Sequence, residues 1–171
     1  MAGFQSTVRN EQTTGRVGTV SRQGPMRSLP YRLASTDATA NIFGRVFTHV
    51  ASEDEEVQAG GTGRFAGFLI SPQEHALRGT SAGTLEASIT LPNNEIAQIS
   101  DMGFFYVRIE GTASQGDGLE YETLTTGDAG RLYAIAPGTA AGADRALVPN
   151  VKILHNATTA TGGIVEVQIT N

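Results

Sequence analysis

The residues able to do chemistry are few. The chain has three histidines, His49, His75 and His155, and none stands at a spacing that gathers two onto one metal ion. His49 and His155 each end a strand-like pattern, where a surface or capping imidazole is ordinary. No H-E-x-x-H helix occurs. Glu120 and Glu122 alternate onto one strand face, which is raw material for a glycosidase carboxylate pair. Two positions apart on a strand, they read instead as a solvated face, and the chain has no Trp for a sugar platform. Ser52-Glu-Asp-Glu-Glu56 is acidic, but a calcium loop alternates its ligands around a central Gly. A solvated acidic turn is predicted there. Gly60-Gly-Thr-Gly63 lacks a following Gly-Lys-Ser/Thr and any helical pattern, so these glycines are turn residues rather than a phosphate cradle. Cysteine is absent, which removes disulfides and thiolate chemistry. The expectation is a protein without catalysis, cofactor or metal.

The elements that would position any site are strands. Met102-Gly-Phe-Phe-Tyr-Val-Arg-Ile109 is rich in aromatic and β-branched residues, which suits a half-buried pleated surface. Alternation sends Phe105, Val107 and Ile109 to one face and Phe104, Tyr106, Arg108 and Glu110 to the other. Arg64 to Ser71 is the expected partner. Five of the chain's eleven aromatics lie in these two stretches, so the core is placed here. The apolar start of the second face, Phe104 and Tyr106, is an aromatic patch that needs cover. It is the candidate interface of a homo-oligomer, with a second sheet or the chain's own N-terminal segment as the alternative cover.

Further strands are read over Asn41–Val50, Leu85–Thr90, Glu95–Ile99, Leu119–Leu124 and Arg131–Ala136. Val148–His155 and Ile164–Thr170 form a closing hairpin with Val165, Val167 and Ile169 as its buried stripe. Pro137 to Arg145 reads as a loop, and Gly67 as a bulge or close backbone approach. About nine short strands without an amphipathic helix predict an all-β fold, a compact sandwich or barrel of short antiparallel strands. No run is long and apolar enough for a membrane helix, and the N-terminus lacks the apolar centre of a signal peptide. Asn156-Ala-Thr158 is therefore a chance sequon.

Charge divides the chain. Residues 1–36 carry Arg9, Arg16, Arg22, Arg27 and Arg32 against Glu11, a balance of +4, and the total of −5 leaves −9 on residues 37–171. Gly and Pro interrupt the first segment every few residues, so it cannot bury enough apolar surface to order itself. It is predicted to be an extended basic arm on a β-rich body. Nucleic acid is a poor partner, because the arginines are spaced singly and the acidic body repels phosphate.

Several segments resemble a known family. They are Met1-Ala-Gly-Phe-Gln5, Gly44-Arg-Val-Phe47, Phe65-Ala-Gly-Phe68 and the Leu91-Pro-Asn-Asn94 turn, then Met102-Gly-Phe-Phe-Tyr-Val107, Gly116-Asp117, Thr126-Gly127 and Gly162-Gly-Ile-Val-Glu-Val167. In this order they resemble the structural cement (capsid decoration) proteins encoded beside the major capsid protein in many tailed-phage genomes. Glu11 to Ser28 departs from the pattern, since related proteins commonly carry a Pro/Ala/Gly-rich arm. The resemblance implies a non-enzymatic protein, made in the host cytoplasm, on the outer surface of the virion. It would bind the major capsid protein as a dimer or trimer and bridge shell subunits, without contacting nucleic acid or membrane. Phe4, Arg9, Arg16, Arg22, Arg27, Leu29, Tyr31 and Arg32 are then the expected capsid contacts. A receptor- or carbohydrate-binding β-sandwich module of a virion is the alternative.

Overall fold

The computed structural model describes residues 15–51, 53–71, 90–124, 126–156 and 162–170. It is all-β. The strands are β1 (Arg27–Leu33), β2 (Val46–Val50), β3 (Glu53–Ala59), β4 (Phe65–Leu69), β5 (Ile96–Glu110), β6 (Gly118–Glu122), β7 (Leu132–Ile135), β8 (Arg145–Leu147), β9 (Val151–Ile153) and β10 (Gly163–Ile169). The expected strand over Leu85–Thr90 lies outside the described residues except for Thr90, which bridges Ile42.

Everything is strung on β5. The two pieces read as Glu95–Ile99 and Asp101–Glu110 are one strand of 15 residues, about 50 Å long at the usual rise. Its first half closes a barrel with β1, β3, β2 and β4, because β1 pairs with both β3 and β5. Leu33, Phe47, Val57, Leu69 and Ile99 fill that barrel. Its second half lies between β10 and β7, and the sheet continues to β9 on one side and to β6 and β8 on the other. Backbone bonds from Gly116 N to Ile153 O and from Ile153 N to Asp117 O, both 2.8 Å, bring the two ends together. Phe105, Val107 and Ile109 point into this second core with Val165, Val167 and Ile169, as their alternation predicts. Truncating the fully buried Phe105 to alanine would cost about 3–5 kcal/mol.

Three local expectations change. Not all pairing is antiparallel, since β1–β3 and β5–β7 run parallel; closing a barrel on one long strand returns some strands in its own direction. The acidic turn is the start of β3, with Val57 and Ala59 buried further along the same strand. Its charge is tolerated because Glu53, Asp54 and Glu55 stay exposed, while Glu56 pairs with Arg32. Arg145, read as the end of a loop, opens β8 against β6.

Two glycine contacts join the layers. Gly67 has φ +147°, and a Cβ there would stand 2.4 Å from Ser100 O, which is the expected close approach. Gly60 and Gly130, with φ of +61° and +71°, pass back to back between the barrels. Gly60 N donates to Val46 O at 3.0 Å, and Val46 N donates to Gly130 O at 3.2 Å.

Candidate functional site

The basic N-terminal segment divides. Phe4 and Arg9 lie outside the described residues. Gly15 to Gly24 runs as a strap along β5. Gly18 N donates to Tyr106 O at 2.7 Å, Tyr106 N to Thr19 O at 3.0 Å and Ser21 N to Phe104 O at 2.9 Å. Because β10 pairs with the same residues of β5, the strap takes the opposite edge. The chain then crosses the face of β5 and continues as β1, which pairs with β5 from Met102 to Ile96. What composition marks as an arm is, over Arg27–Leu33, a stave of the first barrel: local sequence lacks a period there, and the partner strands supply the ladder.

Phe104 and Tyr106, expected at an oligomer interface, sit half-buried beneath this strap. A Cβ on Gly15 would fall 2.1 Å from the Tyr106 ring, and one on Gly24 would fall 2.9 Å from the Phe104 ring. Of the two covers named as alternatives, the N-terminal segment is the one that lies over these rings within the chain.

A charged clamp fastens the strap. Glu166, on β10, is 4% exposed. Its carboxylate accepts Ser21 Oγ at 2.6 Å, Arg22 Nε and Nη2 at 2.6 Å each, and faces His155 Nε2 at 2.9 Å. Arg22 also lies 5.3 Å over the Phe104 ring. The Arg22 bonds, more than any other cause, hold the Glu166 carboxyl down to about 2.

Where the two barrels meet, a groove of about 500 Å³ opens. Arg27, Leu29 and Tyr31 of β1 form one wall, His49, Arg64 and Phe65 a second, and Ile169 and Thr170 the end. Tyr31 packs on the first core and Phe65 on the second. The Tyr31 ring stands edge-on to His49 at 5.1 Å, and Arg27 forks onto Asp101. Leu29 is 44% exposed at the rim. Three expected contact residues therefore converge here. Arg16 instead bonds Ser71 Oγ at 2.8 Å, and Arg32 engages Asn94 and Glu56 away from the groove. His49, Arg64 and Phe65 carried no linear signal as site residues, because only barrel closure brings them to line one groove with residues of β1.

The residues weighed for catalysis are occupied otherwise. Glu120 and Glu122 do not face open solvent: Arg145 bridges them at 2.6 and 3.6 Å and lies 3.4 Å over the Tyr133 ring. Among the described residues, no three His, Asp or Glu side chains gather as a metal-binding group.

A profile of the family described as "Structural cement protein (E217 gp24/Pam3 gp6)" matches residues 4–170. The chain belongs to the phage structural cement proteins. A chain from the capsid of Myoviridae phage XM1 shares the fold of this cement protein, with a TM-score of 0.65 over 98% of each chain at 15% identity. No curated protein matches it. Membership assigns a structural, capsid-associated role, and it takes in the strap, β1 and both barrels together.

Proposed function

We propose that this cement protein binds the outer surface of the capsid shell and bridges neighbouring major capsid protein subunits, acting as a small homo-oligomer without catalysis. The family match across residues 4–170 carries the reading. The groove supports it: an exposed apolar rim at Leu29 beside the cationic Arg27 and Arg64 suits an extended protein segment rather than a small metabolite. Several copies in one oligomer would engage several shell subunits at once, which raises avidity without a strong single contact. The rigid two-barrel body then acts as a brace across subunit boundaries.

Virions assembled without the protein should release DNA at lower temperature and under milder osmotic shock than complete virions. Adding purified protein back should restore resistance. Equal resistance with and without it would end the stabilising role, and failure to co-sediment with shells would end the capsid-binding role.

A further inference from the structure

Opposite ends of the β2–β3 hairpin carry opposite charge, and each end includes charged side chains with no ion-pair partner among the described residues. Among the described residues, Arg22, Arg27, Arg32, Arg131 and Arg145 each pair with a carboxylate of the chain. Just before β2 lies a hollow of about 370 Å³ walled by Val17, Ile42, Phe43 and Gly44 and rimmed by Arg45, Arg108 and Arg131 with the single acid Glu110. Arg131 reaches Glu110 at 3.8 Å and Asp128 at 2.5 Å. Arg45 is spent on the Gly127 and Ala129 carbonyls at 2.6 and 3.0 Å. Arg108 is exposed and has no ion pair among the described residues. Burial first, and the Arg131 charge second, push Arg45 below its ordinary value, as expected where guanidinium groups crowd.

At the far end of β2, Glu53, Asp54 and Glu55 stand exposed at the start of β3, with no cation paired to them among the described residues. The five residues of β2 separate the two poles by roughly 16 Å. Arg45 precedes that strand and Glu53 follows it, so the two poles cannot meet within one copy.

We propose that the arginine-rimmed hollow receives the Glu53–Glu55 strand start of a second copy. The contact is head-to-tail. It specifies the interface of the homo-oligomer proposed above and rests on that reading. Each copy offers both halves, so repetition yields a ring where the rotation closes and a row where it does not. The apolar walls would take the aliphatic stems of the acidic side chains, and the exposed Arg108 a carboxylate, in charge-assisted bonds. A second copy fits better than a nucleic acid, since the remainder of the body is strongly acidic and repels phosphate.

The test is sedimentation velocity of the full chain at low and high salt, with two reversed variants. Arg108→Glu acidifies the hollow, and Glu53→Lys with Asp54→Lys and Glu55→Lys turns the strand start basic. Wild-type protein should associate, less so at high salt, and each variant alone should associate about tenfold more weakly with an unchanged melting temperature. Mixing the two variants should restore association, because each then presents the charge the other needs. If Arg108→Glu associates as wild type does, this interface is wrong while the oligomer stands. If wild-type protein is monomeric at every salt concentration, the oligomer reading and this inference both fall. If either variant melts early, Arg108→Gln and Glu55→Gln give the same comparison without reversal, and undiminished association in both overturns the inference.

Discussion

Arg22 forks its guanidinium onto the carboxylate of Glu166, with Nε and Nη2 each 2.6 Å from an oxygen. The two residues are 144 positions apart in sequence, and the pair pins the start of the chain across its central strand onto its last one. Most of the testable behaviour of the fold follows from that clamp and from the barrels it spans.

Glu166→Gln keeps the shape and removes the charge. Three donors then face a neutral amide that cannot accept them all. The expected loss is about 2–3 kcal/mol, discounted toward the lower figure because the Arg22 side chain is half exposed. Urea unfolding of the variant against the parent measures it, and an unchanged midpoint would show that the clamp is ornamental.

Acid should loosen the same clamp. Glu166 is held at about 2 against its ordinary 4.5, so the folded value lies below the unfolded one. Its contribution is full above about 4.5 and is lost as the pH falls through about 2. The urea midpoint of the parent should therefore decline across that window. The decline should be shallower in Glu166→Gln, which has no proton to take up at this position.

Removing residues 1–24 should uncover Phe104 and Tyr106 while leaving β1 and both barrels closed. The expected outcome is a folded protein that binds a hydrophobic dye and aggregates or self-associates more readily than the parent. Extending the deletion through Leu33 takes a stave from the first barrel, and that protein should not fold. A folded, monomeric product of the longer deletion would contradict the closure by β1.

Gly130→Ala should be costly. The position has φ +71°, and its Cβ would stand 2.4 Å from Val46 O. Left-handed strain and the displaced backbone together predict a loss of about 2–4 kcal/mol. Gly138→Ala is the internal control, since its φ is +79° and nothing lies near its Cβ. It should lose only about 1 kcal/mol. Melting temperatures of the two variants separate crowding from strain.

Leu29→Asp tests the groove. Its side chain is 44% exposed, so stability should change little, while the apolar rim offered to a shell subunit is lost. Capsid co-sedimentation should weaken by about 1–2 kcal/mol, in the range of an interface anchor. Unaltered binding would move the gripping surface elsewhere on the body.

Period and punctuation determined much of this protein from sequence alone. The alternation through Phe105, Val107 and Ile109 needs no partner to be visible, because side chains of any strand alternate. The same holds for Val165, Val167 and Ile169, and for Gly67, whose place in an apolar strand marked a backbone contact. The absence of cysteine, and the separation of the histidines, likewise stand in the chain as written. Pairing is another matter, since a ladder bond depends on which strand lies alongside. Arg27–Leu33 resembles an arm until β3 and β5 flank it, and Glu53–Glu56 resembles a turn until β2 offers its edge. Glu120 and Glu166 look like solvent-facing acids on alternating strands. Only tertiary closure brings Arg145 and Arg22 to them, and with those partners their burial is offset by charge-assisted bonds. The groove arises for the same reason: Tyr31, His49 and Phe65 come from three strands, and no local pattern places them together.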